Sequence, residues 1–349
     1  MRSLRERRAA AQLLADGRGR GLEAAVRHLL AVQAQDARAA RLALRARVPG
    51  LDAAALDRAL GEERALVVGW LGRGTLHLVH RDDYRWLLAL TAPERTAANA
   101  RRLAQEGVTP ADADRGLRVV EDALVDEGPL TRAELGERLA VAGVRVEGQA
   151  LPHLLMLAAL RGIALLGPER DGTRAFALVR DWLADAADEG DPNIALAELA
   201  RRYLAAHGPA TAADLAAWIG LPLGAARAGL HAIAGELAEE SGGLVDLKAR
   251  RASRGRLAPR LLPAFDPYML GWRDRSFAVP PEHARRMHPG GGTLRAVAVA
   301  DGTVIATWSA RRRGSAVAVE LDPFAALDPG MADALRAEAA AVERFLSDR

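Results

Sequence analysis

A phrase of eight residues that occurs twice constrains this chain more than anything else in it. Gly128-Pro129-Leu130-Thr131-Arg132-Ala133-Glu134-Leu135 returns as Gly208-Pro209-Ala210-Thr211-Ala212-Ala213-Asp214-Leu215. In each copy a threonine stands where a helix would begin, with an acid three residues on. Thr131 and Glu134 have full capping-box spacing, and Thr211 and Asp214 are its shorter-armed variant. A helix is expected before each phrase, over about 112–126 and 194–206, and another after it, over about 148–161 and 222–239. Behind the first copy a hairpin follows: Ile163 to Leu166, a turn from Pro168 to Thr173, then Ala175 to Val179. Leu244-Val245-Asp246-Leu247 takes the corresponding place behind the second. Helix, capped helix, turn, helix, hairpin is the order of a winged helix-turn-helix. Two helical subdomains that bind protein rather than DNA would show the same order.

The rest of the chain is read around these repeats. Ahead of them come expected helices at 22–33, 37–47 and 52–60, strands near 65–70 and 74–79, and a helix from Arg81 through Leu90. Residues 92–108 are polar and alanine-rich and read as a connecting helix or linker. Behind the repeats, Leu294 to Ala300, the Asp301-Gly302 turn and Thr303 to Ser309 form a hairpin. A further strand runs from Ser315 to Leu321, with Arg311-Arg312-Arg313 at the turn before it, and a terminal helix spans about Ala332 to Leu346. The expected fold class is α+β and mainly helical: three tandem winged helix-turn-helix units at 1–92, 108–181 and 192–248, then a β-rich C-terminal region at 249–349.

Composition excludes several chemistries. The chain has 349 residues and no cysteine, which removes disulfides, thiolate catalysis, Fe–S clusters and cysteine-based zinc sites. The histidines show no paired ligand spacing, so no metal is expected. No apolar run approaches the ~18 residues of a membrane helix, and no signal-peptide-like run follows the N-terminus. A cytoplasmic protein without membrane contact is expected. Net charge is only +3, but it is unevenly spread. Lys248, Arg250, Arg251, Arg254, Arg256, Arg260, Arg273 and Arg275 crowd one stretch against Asp266 and Asp274, and Arg311, Arg312 and Arg313 form a second cluster. Concentrated arginine on a balanced chain fits a phosphate-binding face, with Arg254, Arg256, Arg273, Arg275, Arg311, Arg312 and Arg313 as the DNA-contacting candidates. A solvated surface would look alike.

Two polar stretches stand in apolar surroundings. Leu22, Ala25, Val26, Leu29 and Leu30 fall at helical spacing, and Gln33 is the next position on that stripe. If the helix ends there and the chain extends, Gln33 and Gln35 share one face. In Arg73-Gly74-Thr75-Leu76-His77, strand alternation puts Arg73, Thr75 and His77 on one side. Alone, the first is ordinarily a solvated helix end and the second the polar side of an edge strand.

Together the Gln33-Ala34-Gln35 motif, Arg73 to His77, the repeats and Leu261-Leu262-Pro263-Ala264-Phe265-Asp266-Pro267-Tyr268 resemble the AlkZ-like DNA glycosylases. That family is tied to azinomycin resistance and belongs to a tandem winged-helix superfamily. The resemblance covers nearly the whole chain. It implies that the Gln-apolar-Gln motif is catalytic, that the substrate is double-stranded DNA carrying bulky N7-alkylguanine, and that some members unhook interstrand crosslinks. The chemistry agrees. N7-alkylguanine is cationic and leaves readily, so no strong general acid is needed. The enzyme has to stabilise an oxocarbenium-like sugar and hold a water against it. Glutamine carbonyls can do both; Gln35 is assigned to the water and Gln33 to the sugar or its phosphate side, with the reverse assignment open. Thr75 and His77 would orient the glutamines or contact the nucleotide, and Arg73 would bind phosphate. Lys248 is the only lysine, which argues against a Schiff-base lyase and for a monofunctional, cofactor-free enzyme. The other reading is a non-catalytic winged-helix regulator. Such proteins usually dimerise, no dimer helix is evident, and a monomer is expected.

Overall fold

The computed structural model describes residues 3–15, 21–170, 172–184, 190–251, 255–314 and 316–347. Helices take 52% and strands 19%, a mixed and mainly helical fold. The chain forms two compact units: residues 1–56, 197–218 and 222–349 make unit one, and residues 57–196 and 219–221 make unit two. No helix among the described residues is long and apolar enough to cross a membrane.

Unit one opens with α1 (Leu4–Ala11), a helix not foreseen from the sequence, which Ser3 and Glu6 start with a capping box. α2 (Leu22–Leu29) buries Ala25, Val26 and Leu29, and a short strand β1 (Val32–Gln33) follows. The helix expected over 22–33 therefore ends at Leu29. α3 (Ala37–Arg45) begins at the Asp36 cap, and α4 (Ala53–Gly61) leads across the division at Leu56.

Unit two is built on a hairpin of β2 (Leu66–Leu71) and β3 (Thr75–His80), paired from Leu66↔His80 to Leu71↔Thr75. α5 (Arg81–Gln105) runs straight through the stretch read as a connecting helix or linker, with Pro93 inside it. Proline removes one backbone donor, yet α5 continues through it, and the helix packs against β2. It stops at Gly107, where Gly107 N–H bonds Ala104 O and Val108 N–H bonds Leu103 O, the Schellman termination. α6 (Pro110–Glu127) buries Ala113, Gly116, Leu117, Val120 and Leu124, an inward stripe at helical spacing. Next come β4 (Leu130–Thr131), α7 (Arg132–Val141), α8 (Ala150–Leu160), β5 (Ala164–Arg170), β6 (Thr173–Leu178) and α9 (Val179–Trp182). The foreseen capping box is present: Thr131 N–H donates to Glu134 at 2.7 Å, and Glu134 N–H to Thr131 Oγ1 at 3.3 Å. Within this unit the strands lie in the order β3-β2-β5-β6-β4.

The second repeat follows the same plan. α10 (Pro192–His207) enters unit one, α11 (Ala212–Ile219) starts at the Thr211–Asp214 cap, and α12 (Leu223–Ala232) precedes the pair β7 (Leu237–Glu239) and β8 (Val245–Leu247). Ala210 bridges to Val245 as Leu130 pairs with Phe176 in the first copy. β9 (Arg260–Leu262), α13 (Pro267–Leu270) and α14 (Ala284–Met287) then lead to β10 (Val297–Ala300), β11 (Thr303–Arg313), β12 (Ala316–Pro323) and α15 (Pro329–Ser347). The four strands form one antiparallel sheet, β12-β11-β10-β9. α15 turns Leu335, Ala339, Val342, Phe345 and Leu346 onto Leu261, Ala298, Ala306, Trp308 and Val317. The three arginines expected at a turn lie on β11, because β12 pairs with them through Arg313↔Ala316. The turn itself is at Gly314, φ 63°.

The 261–268 stretch is core rather than surface. Asp266 and Arg47 are both fully buried and joined by two bonds of 2.7 and 2.9 Å. Asp266 also caps α13 by accepting from Tyr268 N–H. Tyr203, His207, Trp218, Trp272, Tyr268 and Phe277 form a continuous ring cluster, over which the Arg8 guanidinium lies 4.4 Å from Phe277 and 4.8 Å from Trp272.

Candidate active site

The Gln33-Ala34-Gln35 segment belongs to unit one and is fixed at both ends. Upstream, α2 stops because Leu30 takes φ 65° and ψ −50°, with Ala31 N–H bonded to Leu29 O at 2.8 Å. This is a γ-turn of the rare positive-φ kind, strained for a non-glycine residue. Leu30 is 0% exposed, so apolar burial holds the strained turn in place. Downstream, the Asp36 carboxylate accepts from Arg38 N–H at 2.8 Å and Ala39 N–H at 3.2 Å. Between these anchors the chain alternates: Val32 and Ala34 are buried, Gln33 is half-buried and Gln35 exposed. The two amides thus share the face away from the core, as the extended-chain reading expects, and Gln33 lies on a strand rather than on the helical stripe.

Arg73, Thr75 and His77 belong to unit two, at the β2–β3 turn. Gly72 and Gly74 take φ 56° and 79°, and Gly74 N–H bonds Leu71 O at 3.2 Å. Gly72, and Gly220 opposite it, are needed for space as well as conformation. A Cβ at Gly72 would meet Ile219 O at 2.9 Å, and one at Gly220 would meet Arg73 Cα and Cγ at 3.1 Å. Arg95, reaching from α5, donates to Arg73 O at 3.4 Å and Gly220 O at 3.3 Å. Sequence reading missed Arg95, Ile219 and Gly220; only the paired glycines around Arg73 signalled a tight turn. His77 is 4% exposed, with Nδ1 3.0 Å from Thr75 O. Burial, and then the charge of Arg73, lower its pKa from 6.5 to about 4. It is neutral at pH 7 and holds the turn rather than carrying a proton. Thr75 Oγ1 is buried and has no hydrogen-bond partner among the described residues, which leaves it able to meet a polar group brought from outside.

The arginine candidates differ in setting. Arg254 lies outside the described residues, as does the side chain of Arg313. Arg256, Arg273 and Arg312 are exposed; Arg311 is exposed and 3.3 Å from Glu320. Arg275 is half-buried and donates to Met269 O, and burial lowers its pKa.

Chemically, the unit-one segment offers amides, with Asp36 already committed to capping a helix. Lys248 is engaged with Gly235 O at 2.9 Å. Among the described residues no three His, Asp or Glu side chains converge as a metal ion would need. The groups at hand can polarise a water and stabilise a developing cation by dipole; they do not form a strong general acid.

The family model described as DNA glycosylase AlkZ-like matches residues 26–345. An interstrand DNA cross-link repair glycosylase of Streptomyces sahachiroi is 29% identical over 303 residues, covering 81% of this chain and 80% of that protein. The solved structure of Streptomyces sahachiroi DNA glycosylase AlkZ superposes with a TM-score of 0.79 at 27% identity, covering 99% of this chain and 97% of that one.

Proposed function

Because the chain belongs to the AlkZ-like DNA glycosylase family, we propose that it hydrolyses the N-glycosidic bond of bulky N7-alkylguanine in double-stranded DNA, with unhooking of interstrand crosslinks as the same reaction on a tethered base. The supporting observation is the presentation of Gln33 and Gln35 on one face of a short extended segment anchored by the Leu30 turn and the Asp36 cap. In this reading the bond between C1′ and N9 breaks, its electron pair neutralises the purinium cation, and positive charge grows on the sugar. The Gln35 carbonyl accepts a hydrogen bond from the attacking water, and the Gln33 carbonyl dipole faces the sugar. The water oxygen joins C1′, its proton passes to solvent, and an abasic site remains. Preorganised dipoles of this sort act where charge develops in the transition state. Thr75, His77 and Arg73 serve as supporting or nucleotide-contacting residues, and Arg254, Arg256, Arg273, Arg275 and Arg311 to Arg313 as phosphate contacts.

The stretches 1–92, 108–181 and 192–248 are read as winged helices and 249–349 as the β-rich region that follows them. The protein is read as a monomeric, cytoplasmic enzyme that needs no metal or cofactor. Incubation with a duplex holding N7-methylguanine, followed by alkali, tests the function. Strand breaks at that guanine, unaffected by exhaustive EDTA treatment, are expected. Tight binding without breaks would make the chain a DNA-binding protein without catalysis, and loss of breaks with EDTA restored by one metal would overturn the mechanism.

A further inference from the structure

Within unit one, Arg38 and Arg41 stand on α3 at i and i+3, hence on one helix face, and Arg312 approaches from β11. The three residues line one cavity of about 120 Å³, whose other walls are Ala53, Phe345 and Leu346. Among the described residues no carboxylate lines it. Arg41 is 3% exposed and donates to Ala53 O at 3.4 Å, and Arg312 donates to Leu346 O at 3.4 Å. Arg38 and Arg312 are exposed and make no ion pair among the described residues. Arg38 and Arg312 are like charges beside apolar walls, an arrangement that an anion between them relieves, and guanidinium forks match the oxygens of a phosphate. The volume is that of a few waters, at about 30 Å³ each, which suits one tetrahedral oxyanion.

We propose that Arg38, Arg41 and Arg312 together hold a single phosphate of the DNA strand, the one beside the nucleotide that Gln33 and Gln35 address. The placement follows from the chain: Arg38 lies in the first turn of α3, three residues beyond Gln35, with only the Asp36 cap and Ala37 between. This placement rests on the reading of Gln35 given above; the phosphate site itself does not. Arg38 and Arg312 are accessible and Arg41 forms the floor, so the backbone of a duplex can reach the cavity without opening the core.

The test is a set of duplexes carrying 2′-fluoro N7-methylguanosine, whose fluorine slows cleavage. Each duplex also has one phosphate replaced by a neutral methylphosphonate, stepped along the strand. Binding is measured for the wild type and for Arg38→Gln/Arg312→Gln, which leaves the buried Arg41 in place; melting temperatures confirm folding. One linkage adjoining the lesion should weaken wild-type binding several-fold and leave the double variant unaffected. The slope of log K against log salt should flatten by about one phosphate's worth, roughly 0.9, rather than two. A variant that responds to every neutral linkage as the wild type does, or a slope flattened by about 1.8, would overturn the shared phosphate. If inorganic phosphate raises the wild-type melting temperature but not the variant's while DNA binding is equal, the cavity holds a free ion and the proposal fails. A sensitive linkage remote from the lesion would overturn the placement beside the glutamines. Failure of the Gln35 reading appears separately, in excision by Gln35 variants, and leaves these binding results unchanged.

Discussion

His77 shows how one residue's environment settles its role. Its position in Arg-x-Thr-x-His is legible in the sequence, and so is the alternation that places it with Thr75. Its neutrality is not, because that depends on burial within the fold and on Arg73. Depressing a histidine pKa in the folded state has a definite sign for stability. The unfolded chain takes up a proton near pH 6.5 and the folded one only near 4, so the stabilisation is complete above 6.5 and is lost as pH falls toward 4. At 1.36 kcal/mol per pKa unit the total is about 3 kcal/mol. Urea unfolding at stepped pH should therefore give His77→Gln a slope of stability against pH shallower by about 1.4 kcal/mol per unit near pH 5. Equal slopes in the two proteins would mean that His77 titrates freely in the fold. His207, also fully buried and lowered to about 3, adds the same kind of acid sensitivity to both proteins and cancels in the comparison.

At the scale of elements, local chemistry was legible and tertiary exceptions were not. The two capped helices begin at Thr131 and Thr211 because hydroxyl and acid satisfy the first free N–H groups, which is a sequence-local fact. α2 ends at Leu29, four residues short of the expected end at Gln33, because Leu30 is held in a buried positive-φ turn; nothing local to Leu30 announces that. Polar, alanine-rich 92–108 reads equally as helix or linker, and packing of α5 decides it. Arg311-Arg312-Arg313 suggest a solvated turn by charge, yet strand pairing with β12 carries β11 through all three. On a strand, alternation turns Arg311 and Arg312 to opposite faces, Arg311 towards Glu320 and Arg312 towards Leu346. Replacing all three with glutamine should weaken binding to undamaged duplexes of any sequence and flatten the salt slope by up to about three phosphates, roughly 0.9 each. An unchanged slope would remove β11 from the interface.

For the molecule as a whole, the motif at 261–268 turns out to be the inner brace of unit one. Arg47 reaches Asp266, Gln12 and Ala43 at once, all within the interior. Asp266→Asn would leave a buried guanidinium without its counter-charge, and breaking such a pair costs about 3–5 kcal/mol. Urea unfolding should show a loss of that size; a loss below 1 kcal/mol would mean that water reaches the pair. The central claim concerns chemistry, and it separates an enzyme from a binder. If Gln33 and Gln35 act on the transition state, removing them should lower the excision rate far more than the affinity. One preorganised polar contact is worth about 3–4 kcal/mol, or a hundred- to a thousandfold in rate. The decisive measurement is single-turnover excision of N7-methylguanine, alongside duplex affinity and melting temperature, for the wild type, Gln35→Ala, Gln35→Glu and Gln33→Ala/Gln35→Ala. The account predicts affinity within a few-fold throughout, excision lost in Gln35→Ala and in the double variant, and partial excision in Gln35→Glu, whose carboxylate can take the water's proton. Wild-type excision by the folded double variant would contradict it and place the chemistry elsewhere.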